Sequence, residues 1–125
     1  MSLVISIDEP RPQTKRLLLN GSLDTHTTPQ LDEALDQLLD SDEVNSVILD
    51  LSQLQYISSA GLRVIFKLRK MMRDRNGTTY AINPQPQVKK VFDIVKAMPV
   101  ESLFTSVEEL DRYLDTMQRK FLENQ

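Results

Sequence analysis

Two spacings of hydrophobic residues alternate along the chain, and the switches between them mark its elements. Residues 3–7, LVISI, and 15–21, KRLLLNG, are short aliphatic runs and predict two strands. The segment between them, DEPRPQT, carries two prolines and reads as a turn, so a hairpin is expected. From Thr28 the spacing lengthens. Leu31, Ala34, Leu35, Leu38 and Leu39 recur at helical intervals and predict a first helix. Thr28 suits its N-cap and Pro29 its first helical position. Asp32 and Glu33 are expected in the first turn, where the helix dipole favours negative charge.

Residues 44–52, VNSVILDLS, form an apolar run of strand length and predict a central strand covered on both faces. Residues 59–75 predict a second, largely buried helix. Its apolar row of Leu62, Ile65, Phe66 and Met72 lies beside another of Val64, Leu68 and Met71. Arg63, Lys67 and Lys70 are left on the remaining face. Asn76-Gly77 ends the helix, with Gly77 expected as its left-handed cap. TTYAIN, residues 78–83, predicts a fourth strand, and Val88, Val91, Phe92 and Val95 a short third helix ending at Met98-Pro99. A short edge strand is expected around Leu103-Phe104-Thr105. Residues 106–109, beginning at Ser106, read as a capping box opening a last helix. Val107, Leu110, Leu114, Met117 and Phe121 recur along that helix, and the first three suit packing on the sheet. Phe121, near the end of the sequence, suits weak self-association through the C-terminal helix. The interleaved order predicts an α/β fold over residues 1–125: one domain, a mixed sheet of four or five strands, and four helices packed on it.

Composition narrows the function classes. A chain of 125 residues with 40% hydrophobic and 26% charged residues has the make-up of a globular domain with one core. With no cysteine there is no thiolate nucleophile and no cysteine-based metal site, and one histidine among scattered carboxylates gives no ligand spacing. Three glycines form no phosphate-binding loop, so no metal or cofactor is expected. A net charge of −3 argues against nucleic acid as the main partner. The stripe of Arg63, Lys67 and Lys70, extended by Arg69, Arg73 and Arg75, lacks aromatic stacking partners. It reads as a solvated face or as a contact for an acidic protein surface. No run approaches the roughly 20 apolar residues that cross a bilayer, and no basic segment marks a signal peptide. A cytoplasmic protein without membrane attachment is expected.

Catalytic chemistry has one candidate set, Ser59, His26 and Asp24. The nucleophile elbow of serine hydrolases needs glycine two residues to either side of the serine. Gly61 stands downstream of Ser59, but Ile57 stands upstream. Asp24 and His26, two apart in one loop, are also poorly spaced for a relay. No catalytic residue is expected. Ser58 and Ser59 nonetheless open a helix directly after a strand. The amides of a first helical turn have no intrahelical partners and carry partial positive charge. A serine there caps the helix, and a phosphoserine there gains amide hydrogen bonds. Both readings fit the same position.

Residues 49–70, LDLSQLQYISSAGLRVIFKLRK, resemble the signature of the STAS domain, named for sulfate transporters and anti-sigma factor antagonists. In that family a strand reading like DLS leads to D-S-[ST]-G-L at a helix start. Asp50-Leu51-Ser52 and Gly61-Leu62 match it. Upstream, LNGSLDTHTTPQL looks like the family's G-x-L-D segment, with Gly21, Leu23 and Asp24 in place. The resemblance implies a single STAS-like domain and an anti-sigma factor antagonist in a partner-switching pathway. The implied partner is an anti-sigma factor with serine kinase activity, with a serine phosphatase as a second partner. Aligned on Gly61-Leu62, the phospho-acceptor is Ser59, with Ser58 as a competing acceptor. Asp24, Ser58, Ser59, Ala60, Gly61, Arg63 and Lys67 would form the partner-binding surface. Ser58 replaces the usual acidic residue and Ala60 the usual hydroxyl residue. These departures leave a second implication open, a STAS binding module that does not cycle through phosphorylation.

Overall fold

Backbone pairing carries the first two strands well past the aliphatic runs that announce them. In the computed structural model, which describes residues 2–97 and 107–123, β1 (Leu3–Arg11) and β2 (Thr14–Leu23) form an antiparallel hairpin. The turn shrinks to Pro12-Gln13, with Gln13 in the left-handed region at φ 65°. The polar residues expected as turn are therefore strand. They hold because Asp8 pairs across with Arg16, whose Nε donates at 2.9 Å, and Glu9 lies 3.3 Å from Lys15. The second strand also runs on beyond Asn20-Gly21. Gly21 sits at φ 125°, and a Cβ there would lie 2.1 Å from the Ser2 carbonyl oxygen, so only glycine lets the start of β1 close on β2.

Helix α1 (Thr28–Leu39) leads to β3 (Ser46–Ile57), parallel to β2, and α2 (Ser59–Asp74) leads to β4 (Thr78–Ile82), parallel to β3. Helices α3 (Pro86–Ala97) and α4 (Val107–Glu123) follow. The sheet of the described residues has four strands in the order β1-β2-β3-β4. The expected end of the third helix at Met98-Pro99, the strand around Leu103-Phe104-Thr105 and the cap at Ser106 lie outside the described residues.

The core explains which face the helices cover. Leu17, Leu19, Val47, Leu49 and Leu51 point to one side of the sheet and are buried. They share a single cluster with Leu31 and Leu35 of α1, Ile65 and Leu68 of α2, Val88 and Val91 of α3, and Leu110 and Leu114 of α4. The opposite face bears Leu18, Ile48 and Ile82, half-exposed, and Tyr80, exposed; none of them joins the core. Among the described residues the central strand is thus covered on one face rather than two. An apolar run of this length reads the same in both cases, because half-exposed aliphatics are tolerated on an open face.

Three local expectations change for physical reasons. Helix α1 begins at Thr28 with Thr27 as its N-cap, which moves Asp32 and Glu33 out of the first turn. Asp32 instead pairs with Lys67 of α2 at 3.0 Å. At the end of α2, Asn76 takes the left-handed conformation at φ 59° and Gly77 does not. Gly77 is required for space: a Cβ would lie 2.6 Å from the Asn45 carbonyl oxygen and 2.7 Å from Met72 Cε. Arg75 leaves the basic stripe altogether. Its guanidinium donates to the carbonyls of Leu39, Ser41 and Val44 at 2.8, 3.0 and 3.2 Å, clamping the chain between α1 and β3.

Candidate functional site

Parallel strands followed by helices bring two helix starts to the same end of the sheet. Strand β2 ends at Leu23 and β3 at Ile57, which pair in register, and Ser58 N–H extends that pairing to the Leu23 carbonyl at 2.8 Å. No loop separates β3 from α2; Ser58 alone intervenes. Its extended backbone (φ −94°, ψ 174°) directs Oγ to accept from Gly61 N–H at 3.3 Å, and its carbonyl accepts from Leu62 N–H at 3.0 Å. Ser58 is therefore the N-cap, and Ser59 is the first helical residue. Gly61 lets this turn lie on the strand ends. A Cβ there would stand 3.0 Å from both Leu23 Cβ and Ile57 Cγ1.

Asp24 follows Leu23 and organises the neighbouring helix start. Its Oδ1 accepts from the N–H groups of His26 and Thr27, both at 2.9 Å. Thr27 Oγ1 in turn accepts from Asp24 N–H at 2.9 Å and donates to the Ser22 carbonyl at 2.7 Å. Partial burial pushes the Asp24 pKa up, but the amide bonds from Thr27 and His26 outweigh it and hold the carboxyl below its ordinary value. Ser59 Oγ has no hydrogen-bond partner among the described residues, so it is not bonded to the imidazole of His26.

Helix α4 lies against this corner and bonds to its backbone through two polar side chains. Asp111 Oδ1 accepts the Ser59 N–H at 3.0 Å. Gln118 pairs with Ile57 as a strand would, its Oε1 accepting from Ile57 N–H at 3.0 Å and its Nε2 donating to the Ile57 carbonyl at 2.9 Å. Gln85, just before α3, and Gln87, in its first turn, do related work, Gln85 donating to the Ser52 carbonyl and Gln87 to that of Gln55. The reason is that β4 pairs only with Ser46–Asp50, leaving the rest of that edge of β3 to be satisfied by side chains. One sequence signal was available for this: Gln118 stands four residues after Leu114, within the apolar stripe of α4.

Burial is the unexpected property of the site. Ser58 is 4% and Ser59 2% exposed, while Ala60 is half-buried. Tyr56, beside them on β3, has its phenol pushed up to about 12 by burial and by the negative charges of Asp115, Asp111 and Asp24. The surroundings of Ser59 are thus acidic. Asp24, Ser58, Ser59 and Gly61 converge at the strand ends, as the sequence grouped them. Arg63 and Lys67 continue along the exposed face of α2. Lys67 is engaged by Asp32 at 3.0 Å and Asp36 at 3.9 Å, and these partners raise its pKa. Among the described residues, no group of three or more metal-ligating side chains is placed to hold a metal ion, and no helix is long and apolar enough to cross a membrane.

An α/β domain with a serine-capped helix start beside an aspartate-ordered loop is the class that fold and site define. The chain belongs to the STAS domain family, whose profile matches residues 9–110. BtrV of Bordetella bronchiseptica, named as an anti-sigma factor antagonist, is 38% identical over 76 residues, covering 61% of this chain and 65% of that one, just under two thirds of its length. The anti-sigma F factor antagonist of Paenibacillus polymyxa is 28% identical over 85 residues, covering 66% of this chain and 73% of that one. The solved structure of the anti-sigma factor antagonist SpoIIAA in its unphosphorylated form superposes with a TM-score of 0.63 at 22% identity, covering 73% of this chain and 83% of that one. At that identity the likeness speaks for the fold.

Proposed function

We propose that this protein is an anti-sigma factor antagonist in a phosphorylation-driven partner-switching pathway. The observation that carries the reading is a serine at the first position of α2, two residues before Gly61, in a STAS chain whose relatives are named for that role. The unphosphorylated form binds an anti-sigma factor that is also a serine kinase. That kinase transfers phosphate to Ser59, and the phosphorylated form lets go; a serine phosphatase resets it. The docking surface is formed by Asp24, Ser58, Ser59, Ala60 and Gly61, with Arg63 and Lys67 further along α2. The chemistry is that of a substrate and binding partner rather than a catalyst, and such a pathway belongs to the cytoplasm.

The physical logic is electrostatic. A phosphate adds about −1.5 to −2 charges to a corner that already holds Asp24, Asp111 and Asp115 around Tyr56. A complex built against the uncharged serine then faces repulsion and an unpaired buried charge. Incubation with the cognate kinase and ATP is expected to add one phosphate, mapped by mass spectrometry to Ser59 and absent from Ser59→Ala. Ser59→Asp should weaken the complex by roughly 10- to 1,000-fold, equivalent to about 1.4–4 kcal/mol, with Ser59→Ala binding normally. Phosphate mapped to Ser58 would transfer the role to the competing acceptor.

A second reading is favoured by one specific observation, the combination of Ser58 and Ala60 at positions that usually differ with an acceptor only 2% exposed. It is a STAS binding module that does not cycle. In that case Ser59→Ala and Ser59→Asp leave partner affinity equally unchanged, measured by calorimetry.

A further inference from the structure

A kinase substrate must present its hydroxyl, yet Ser59 is 2% exposed and its backbone amide is bonded to helix α4. Ser59 Oγ is buried and has no hydrogen-bond partner among the described residues. The Ser59 amide, the donor that a phosphate at a helix start would accept from, is already taken by Asp111 at 3.0 Å. Gln118, itself 1% exposed, holds both backbone groups of Ile57 two residues earlier. Leu110 and Leu114, on the same helix, are in the core. Helix α4 therefore grips the end of β3 and the start of α2 by side-chain hydrogen bonds at two levels, with Leu114 between them as an apolar anchor.

We propose that α4 is an intramolecular shield of Ser59, which must lift before phosphate is transferred and cannot reseat afterwards. The inference rests on Ser59 being the acceptor and deepens that reading. Transfer forms the Oγ–P bond as the bond from the γ-phosphate of ATP to ADP breaks, and the hydroxyl proton passes to a base of the kinase. The product is a phosphate monoester beside the Asp111 carboxylate, competing for the same amide. Two anions sharing one donor repel, and the phosphate is the one covalently attached to the site. The closed form thus withholds the acceptor, and the phosphorylated form is held open. By reciprocity, a partner that binds the open form raises the exposure of Ser59 by the same factor that opening raises its affinity.

The test uses the full chain with the single substitutions Asp111→Ala and Gln118→Ala, each checked for a native melting transition. Asp111→Asn, which retains an acceptor oxygen, replaces Asp111→Ala if that variant does not fold. Asp111→Ala, which loses one hydrogen bond from the closed form, is expected to speed phosphorylation of Ser59 by the cognate kinase about five- to tenfold, and Gln118→Ala, which loses two, by at least as much. Amide exchange supplies a readout independent of the kinase. Asp111→Ala should speed exchange at Ile57, which Asp111 does not touch, and Gln118→Ala should speed it at Ser59. Ser59→Asp should do so at Ile57 while Val47 and Leu49 stay protected. If wild type is phosphorylated at Ser59 and the folded variants react no faster, the shield is overturned while the acceptor assignment stands. Should no form be phosphorylated, the acceptor assignment fails, and exchange alone decides the behaviour of α4. Unchanged Ile57 protection in Ser59→Asp then overturns the shield, and lost protection sustains it.

Discussion

Ser58 and Ser59 are adjacent in sequence yet have different physical tasks. Ser58 satisfies the Gly61 amide, one of the donors that every helix start leaves without an intrahelical partner. Replacing it with alanine should cost about 1 kcal/mol, and with glycine only a few tenths, measured by urea denaturation. Asp24 does comparable work for the loop before α1. Its folded-state pKa lies below the unfolded value of about 3.9, because Thr27 and His26 amides favour the charged form despite burial. The contribution is whole above the unfolded value and is lost as pH falls through the folded one. Stability should decline below about pH 4, and more shallowly in Asp24→Asn, as read from urea midpoints across the acid range. The assignment of Asp24 to the corner was legible from the G-x-L-D segment; its role as the acceptor for two amides was not.

At the scale of elements, strand and helix types were predicted from spacing, but their lengths were set by partners. β3 continues five residues past Ser52, to Ile57, because β2 and three glutamine side chains satisfy its backbone. No local preference of Gln53 or Gln55 announces this. Arg75 shows the same dependence. It was one cation among several in sequence, and the fold turns it inward onto three carbonyls at the junction of α1 and β3. Arg75→Ala is expected to lower stability by about 2 kcal/mol through loss of charge-assisted hydrogen bonds, whereas Arg69→Ala should change it by less than about 0.5 kcal/mol. Chemical denaturation of the two variants side by side checks the contrast.

For the molecule as a whole, one hydrophobic cluster joins all four helices to one face of the sheet. Residues from β2, β3 and every helix contribute to it, so no described element has a core of its own. Unfolding is therefore expected to be a single cooperative transition, with far-ultraviolet circular dichroism and tyrosine fluorescence coinciding along a urea titration. Separate transitions would mean that α3 and α4 melt independently of the sheet. Function at this scale comes from topology. Parallel connections carry Asp24 and Ser58-Ser59 to the same end of the sheet, although 33 residues separate Asp24 from Ile57 in the chain. Placing α4 against them makes the corner both acidic and closed.

What the sequence by itself determined is the order and kind of the elements, the apolar faces that build the core, and the two motifs that meet at the strand ends. These are written in local spacing, which depends on 3.6- and 2-residue periods and on glycine and proline at fixed points. Only the tertiary structure decided that, among the described residues, the sheet is covered on one face, that Asn76 rather than Gly77 takes the left-handed turn, and that Asp111 and Gln118 bond to the backbone of Ser59 and Ile57. The last depends on which backbone groups remain unpaired once the strands are in register. That count exists only when residues 52 to 61 apart in the chain lie side by side.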